Sequence, residues 1–209
     1  MRREFHVRFC EGPGVQSPRA TRLVMCFQFE QDARAMHTAL ALRLAEFGLE
    51  LHPDKTRVIQ FGRFASVDRK ERGLGKPETF DFLGFTHIAG VSRGGKFQLK
   101  RRTSRKKRRA KLARLAEEIR RRRHDRVAQQ HAWLSSVLVG HYRYYGVPTN
   151  YAALAQFRNH VEWRWMRALQ QRSQRARWTK ATRQAHKERF PLPLPRIHHP
   201  WPTDRFAHR

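Results

Sequence analysis

The residues best suited to chemistry in this chain are cations. From Lys100 to Arg126, lysine and arginine fill most positions, opposed only by Glu117, Glu118 and Asp125. The planar guanidinium fork of arginine matches phosphate geometry and stacks on bases, whereas a lysine ammonium acts as a point charge. Arg101, Arg102, Arg105, Lys106, Arg108, Arg109, Lys111, Arg120 and Arg122 are therefore candidate phosphate ligands. A solvated charged face is the plainer reading. Against it, like charges three and four residues apart destabilise a helix, and the acids here are too few to offset them. A phosphate backbone supplies the missing counter-charge.

A second cluster, HYRYYG over 141–146, sets three tyrosines around Arg143. Aromatic rings so placed can stack nucleobases. Tyr142 and Tyr145 also fit the apolar side of a helix, where core packing is an equal reading. Tyr144 points elsewhere and, with Arg143, is the stacking candidate. Metal chemistry has no such pattern. Cys10 and Cys26 form no CxxC pair, and His52, His87, His198 and His199 follow no ligand spacing, so no metal site is expected.

The whole chain shares this bias. Its 209 residues hold 45 Lys and Arg against 17 Asp and Glu, a formal net charge of +28. A compact body so charged repels itself unless a polyanion neutralises it. Nucleic acid is the first candidate and an anionic membrane surface the second. The 14 Phe and 5 Trp supply material for a core and argue against full disorder. No apolar run is long enough for a secretory signal or a membrane span.

These side chains need a scaffold. Residues 1–22 include EGPGVQSPRATR, without periodicity, and predict an irregular leader. LVMCFQF over 23–29 predicts a strand. Ala33, Met36, Leu40, Leu44 and Phe47 share a helical face over 31–47, and Gly48 stops it. Residues 49–61 predict a β-hairpin whose turn presents Lys55, and 62–79 a polar loop. FDFLGFTH, 80–87, opens two or three short strands, with Phe80, Phe82, Leu83 and Phe85 as core and Arg93–Lys96 as a tight turn. From Thr103 the pattern is helical. Leu112, Leu115 and Ile119 form a narrow stripe on a helix over 104–123. Trp133 to Tyr145 form a second helix, ended by Gly146 and Pro148. Asn150 caps a third, with Leu154, Phe157, Val161, Trp165 and Leu169 on one face. Residues 171–190 are basic and helical in part. PLPLPRIHHPWPTDRF has too many prolines for a helix and reads as an extended tail laid over the surface.

Four segments, EFGLELHPDKTRVIQFGRFA, FDFLGFTH, HYRYYGVPTN and RIHHPWPTDRF, carry a resemblance by their order and spacing. Together they resemble the C-terminal half of bacterial group II intron reverse transcriptase/maturases, over roughly residues 23 to 209. The resemblance implies an α+β fold: a partial reverse-transcriptase palm over 23–101, then an α-helical thumb or maturase domain over 102–190. A leader, 1–22, and a Pro-rich tail, 191–209, flank them. It places Phe82, Leu83, Gly84 and Phe85 in the primer-grip region. It also makes Lys55 and Arg57 candidate nucleic-acid contacts, although a solvated turn reading serves Lys55 equally well in this chain.

The same resemblance implies RNA-directed DNA synthesis and intron splicing or mobility for the family, with Mg²⁺ as the full-length family's cofactor. The family's metal-binding aspartates would fall at Thr21 and Arg22, and neither residue can replace a carboxylate. The expectation is an N-terminally truncated form with no catalytic residue and no cofactor of its own, inactive alone as a polymerase. Its expected partner is structured intron RNA or an RNA/DNA hybrid, not a membrane, in a cytoplasmic ribonucleoprotein. An exposed sheet face is expected to leave apolar residues in solvent. An active polymerase completed by a second chain, and an unrelated basic RNA-binding or ribosome-associated protein, are the alternatives.

Overall fold

The architecture of this computed structural model is α+β. It describes residues 23–53, 56–172 and 178–201, and the backbone of 5–9. Thr21, Arg22, Lys55 and Cys10 lie outside the described residues. The chain divides into two compact units, 1–100 and 101–209.

There are two three-stranded sheets where one was expected, in the first unit up to Lys100 of the last strand. In the first sheet β1 (Phe5–Phe9) lies between β2 (Leu23–Phe27) and β3 (Arg57–Gln60), antiparallel to both. The leader was expected to be irregular, yet it supplies this central strand. FHVRF alternates apolar and polar residues, a strand signal that the Gly, Pro and Ser just after it obscure. The expected hairpin over 49–61 is reduced to β3, which pairs with β1 instead of with residues 49–51.

Strand alternation gives this sheet two apolar faces. Met25, Phe27 and Val58 pack with Ala33 of helix α1 (Glu30–Ala45). Val24 and Ile59, from the opposite face, pack with Phe61 and Phe80. Phe80 begins β4 (Phe80–Phe82), which pairs with β5 (Phe85–Val91); β6 (Phe97–Thr103) completes the second sheet. The aromatic density of FDFLGF thus closes one sheet over another. Phe80 and Phe85 are buried and Phe82 is half-buried. Leu83 is 62% exposed, against the core role expected for it. It shares a two-residue turn with Gly84, at φ 47 and 80. Positive φ at both positions is what a tight hairpin requires, and it turns the leucine outward. The loop expected over 62–79 contains a short helix, α2 (Ala65–Glu71), which buries Asp68 as acceptor for Gln60 Nε2 at 3.2 Å. Exposed apolar side chains here belong largely to the helices and loops: Leu42, Phe47, Leu49, Phe64, Val67 and Leu74.

The second unit is helical: α3 (Arg105–Arg121), α4 (Val127–Tyr145), α5 (Tyr151–Gln170) and α6 (Lys180–Arg189). Leu112, Leu115 and Ile119 of α3 join Leu134, Leu138 and Tyr142 of α4 and the Leu154–Leu169 stripe of α5 in one core. Buried Gln130 is satisfied there: Trp165 Nε1 donates to Gln130 Oε1 at 2.8 Å, and Gln130 Nε2 donates to the carbonyls of Arg123 and Asp125. Asn150 stands at the N-cap position of α5 without capping it by its side chain. Instead its Oδ1 accepts the Thr103 N–H at 2.9 Å, and its Nδ2 donates to Thr103 Oγ1 and the Tyr145 carbonyl.

The tail up to Trp201 is extended and lies on the helices. Leu192 is buried in the core, the Pro193 carbonyl accepts from Tyr142 Oη at 3.0 Å, and the Gly146 carbonyl accepts the N–H groups of His198 and His199. A Cβ at Gly146 would meet the Tyr142 carbonyl oxygen of α4 first and the Arg196 carbonyl oxygen of the tail at 2.7 Å, so glycine both ends α4 and lets the tail cross here.

Candidate nucleic-acid interface

The burial of Leu112, Leu115 and Ile119 fixes which arc of α3 faces solvent. Arg105, Lys106, Lys107, Arg109, Lys111, Arg114 and Arg120 all point out. The exposed arc falls into two flanks by helical phase. Lys107, Lys111 and Arg114 face α4, and Arg109 shares the α5 side with Ala116 and Arg120.

Each flank borders an open groove. The α3–α4 groove, about 580 Å³, has Lys107, Lys111 and Arg114 on one side and His141, Tyr144 and Tyr145 on the other. The α3–α5 groove, about 310 Å³, sets Arg120 opposite Trp163, Arg164 and Arg167. Trp163 is 56% exposed, with the Arg164 and Arg167 guanidinium carbons 5.9 and 5.3 Å from its ring centre. Neither groove is lined by an acid. A third groove between α5 and α6, about 650 Å³, includes Glu162, which pairs with Lys187 at 3.0 Å. Its potential is therefore mixed. A further groove along α6, about 450 Å³, has Lys180, Arg183 and Lys187 beside Trp178 and no acid, but it lacks the density of cations that α3 carries.

Not every expected phosphate ligand is equally available. Arg108 is half-buried, and its Nη1 donates to Gln156 Oε1 at 2.8 Å. Arg122 lies 3.4 Å from Glu118 and 4.7 Å over the Trp133 ring. Arg101 is half-buried, its backbone exchanging hydrogen bonds with Thr149 Oγ1, and Arg102 is exposed. Arg143 is exposed; its carbonyl accepts from His199 Nε2 at 2.7 Å, which fixes that ring's N–H on Nε2. In the first unit Arg57 lies 3.6 Å from Glu78. Compared with protein-family models, with curated proteins and with solved structures, the chain has no match in any of the three.

The tyrosines divide by burial. Tyr142 is a core residue, 1% exposed, and burial pushes its phenol up to about 12. Tyr145 is half-buried. Tyr144 is 53% exposed and stands edge-on to Tyr145, ring centres 4.7 Å apart. His141 is 8% exposed and stacks on Phe157 at 3.9 Å. Burial, then the nearby Lys111 charge, lowers its pKa to about 4, which keeps the imidazole neutral at pH 7.

The sequence reading left out Lys107, Arg114, His141, Trp163, Arg164 and Arg167. Trp163 was within reach: the α5 stripe passes through 161, 165 and 169, which leaves 163 on the solvent side. Among the described residues no three His, Cys, Asp or Glu side chains come together to hold a metal ion, and no helix is long and apolar enough to cross a membrane.

Proposed function

We propose that this chain binds structured RNA through α3 and its two flanking grooves, chiefly by phosphate contacts. The observation that carries this reading is the exposed arc of α3, whose cations far outnumber Glu117 and Glu118 and border grooves without acids. Exposed aromatic rings beside those cations, Tyr144 and Trp163, suit a nucleic acid better than a bare anionic surface.

The resemblance to group II intron reverse transcriptase/maturases extends the proposal to a target. Folded intron RNA would be the ligand, the helical unit would act as the maturase thumb and the first unit as part of a palm, in a cytoplasmic ribonucleoprotein. The RNA-binding reading stands without that extension. Magnesium does not fit the positions the resemblance assigns to it, because Thr21 offers no charge and Arg22 repels a cation. The purified chain is expected to show no template-dependent primer extension.

The decisive measurement is affinity for a folded RNA as salt is varied. Neutralising roughly 6–8 phosphates gives a slope of log affinity against log salt on the order of −4 to −7. Changing Arg105, Lys106, Arg109 and Arg120 together to Gln should flatten that slope by about 3–4, with helical circular dichroism unchanged. The same number of changes in the first unit, at Arg63, Arg69, Lys70 and Arg93, should alter it by less than about 1. Salt-independent binding, or full affinity after the α3 changes, would overturn the reading.

A further inference from the structure

We propose that the α3–α4 groove is a pocket for a single unpaired nucleotide of the bound RNA, its base against Tyr144 and His141 and its phosphates against Lys107, Lys111 and Arg114. This deepens the RNA-binding reading above and rests on it.

The groove is two-sided in chemistry. One wall carries three exposed cations spaced along α3, the arrangement a sugar-phosphate backbone follows. The other wall is aromatic. Tyr144 offers an exposed face, and its edge-on packing against Tyr145 holds the ring in place before any ligand arrives. At about 580 Å³ the groove falls within the usual range for small-molecule pockets, about 300–1,000 Å³. Gly140 lies among its lining residues, and a Cβ built there would meet nothing within 4 Å, so that part of the wall is open.

His141 separates this pocket from a generic basic surface. Its Nε2 is buried and has no hydrogen-bond partner among the described residues, although the residue lines the groove. A buried polar atom left unpaired is costly, and such atoms are ordinarily satisfied by a ligand or water. The neutral ring has one donor and one acceptor nitrogen. The unpaired Nε2 is one of these two, and a nucleobase edge can partner it in either tautomer, whereas a phosphate, which only accepts, can partner it in one. A paired helix cannot present a base edge and a base face to the same groove; a bulged or looped-out nucleotide can.

The test uses the full chain and two RNA hairpins that differ only by one bulged 2-aminopurine. The bulged hairpin should bind about tenfold tighter, and the fluorescence of its 2-aminopurine should be quenched on binding as the base stacks. Tyr144→Ala should abolish the preference and the quenching, bringing affinity for the bulged hairpin down to that for the paired one, and Tyr144→Phe should keep both. Tyr144 is exposed, so circular dichroism should show both variants folded. Equal affinity for the two hairpins with the salt slope intact would overturn the pocket and leave the RNA-binding reading standing. Loss of salt-dependent binding to both hairpins would overturn the two together. A preference retained by Tyr144→Ala would also reject the pocket.

Discussion

In the helical unit one apolar cluster runs from Leu112 of α3 through α4 and α5 to Leu192 of the tail. In the first unit one small cluster gathers around Ala33 and another around Ile59, Phe61 and Phe80, while Leu42, Phe47 and Phe64 stay in solvent. The difference shows where charge can be tolerated. Like-charge neighbours on a helix cost about 0.2–0.5 kcal/mol per pair, and each fully buried Leu or Ile contributes about 1.5–3 kcal/mol. With Leu112, Leu115 and Ile119 anchored, α3 can carry its repulsion and keep a cationic face ready for a polyanion. Among the described residues of the first unit no element has both that anchorage and that charge.

The largest expected effect tests this depth. Leu138 and Phe157 are 0% exposed, and replacing either with Ala should cost about 3–5 kcal/mol in denaturant unfolding. Leu42→Ala in the first unit, at 67% exposure, should change stability by no more than about 0.5 kcal/mol. Hydrogen exchange should rank the units in the same way, with amides of α4 and α5 opening last. Equal costs at Leu138 and Leu42 would break the comparison.

A second effect depends on pH. His141 is held neutral in the fold at a pKa of about 4, below its ordinary value of 6.5. The unfolded chain therefore takes up a proton that the folded chain refuses. Stability is full above about pH 6.5 and falls as pH drops toward 4, by up to about 3 kcal/mol. His186 acts in the same direction, lowered by burial and by His131 and partly restored by Glu162. Urea unfolding between pH 4 and 7 should show the loss, and His141→Gln should flatten much of it. A stability profile unchanged by that substitution would show that the helical unit does not titrate through His141.

The sequence showed periodic elements well and special contacts poorly. The stripes of α3 and α5 were legible because 3.6-residue spacing over long segments leaves little choice of buried face. The strand at 5–9 was missed because a short alternating segment stands next to a Gly- and Pro-rich stretch, and its partners are distant in sequence. Leu83 was misplaced because its apolar character outweighed the turn geometry that Gly84 signals. The cations of α3 could be read directly, but the grooves beside them could not. They depend on how α4 and α5 pack against α3, and a single-helix pattern does not contain that. The unpaired Nε2 of His141 is likewise a property of packing, since its helical position marked it only as a residue on the apolar side.

The next effect concerns a polar closure specific to the helical unit. Asn150 is 0% exposed and makes hydrogen bonds to Thr103 and Tyr145, tying the end of β6 to the α4–α5 connection. Asn150→Ala leaves those groups buried and unpaired, at an expected cost of about 2–3 kcal/mol. Asn150→Asp keeps the acceptor for the Thr103 N–H but loses both Nδ2 donations, and should do no better. In the first unit Gln60 Nε2 donates to Asp68 at 3.2 Å, a longer contact, and Gln60→Ala should cost about 1 kcal/mol. Comparable losses at both sites would remove the polar part of the contrast between the units.

The smallest effect falls on the tail. Gly146 ends α4 where the tail crosses it: its carbonyl accepts two tail N–H groups, and a Cβ there would press on the Tyr142 carbonyl oxygen of α4 and on the Arg196 carbonyl oxygen of the tail at 2.7 Å. Backbone on both sides leaves no flexible side chain to move aside. Gly146→Ala should therefore shift the tail at a cost of about 1–3 kcal/mol, lowering Tm by about 3–8 °C. Because Leu192 belongs to the helical core, loosening should spread inward: limited proteolysis should cut within 191–201 sooner, and amides of α4 should exchange faster. The first unit, which makes none of these tail hydrogen bonds, should keep its exchange rates. A Gly146→Ala variant with unchanged proteolysis would show that Leu192 and the hydrogen bonds of Arg158, Tyr142, His131 and His199 hold the tail without the close approach at Gly146. A variant in which both units loosen equally would show that the helical core does not stand apart from the first.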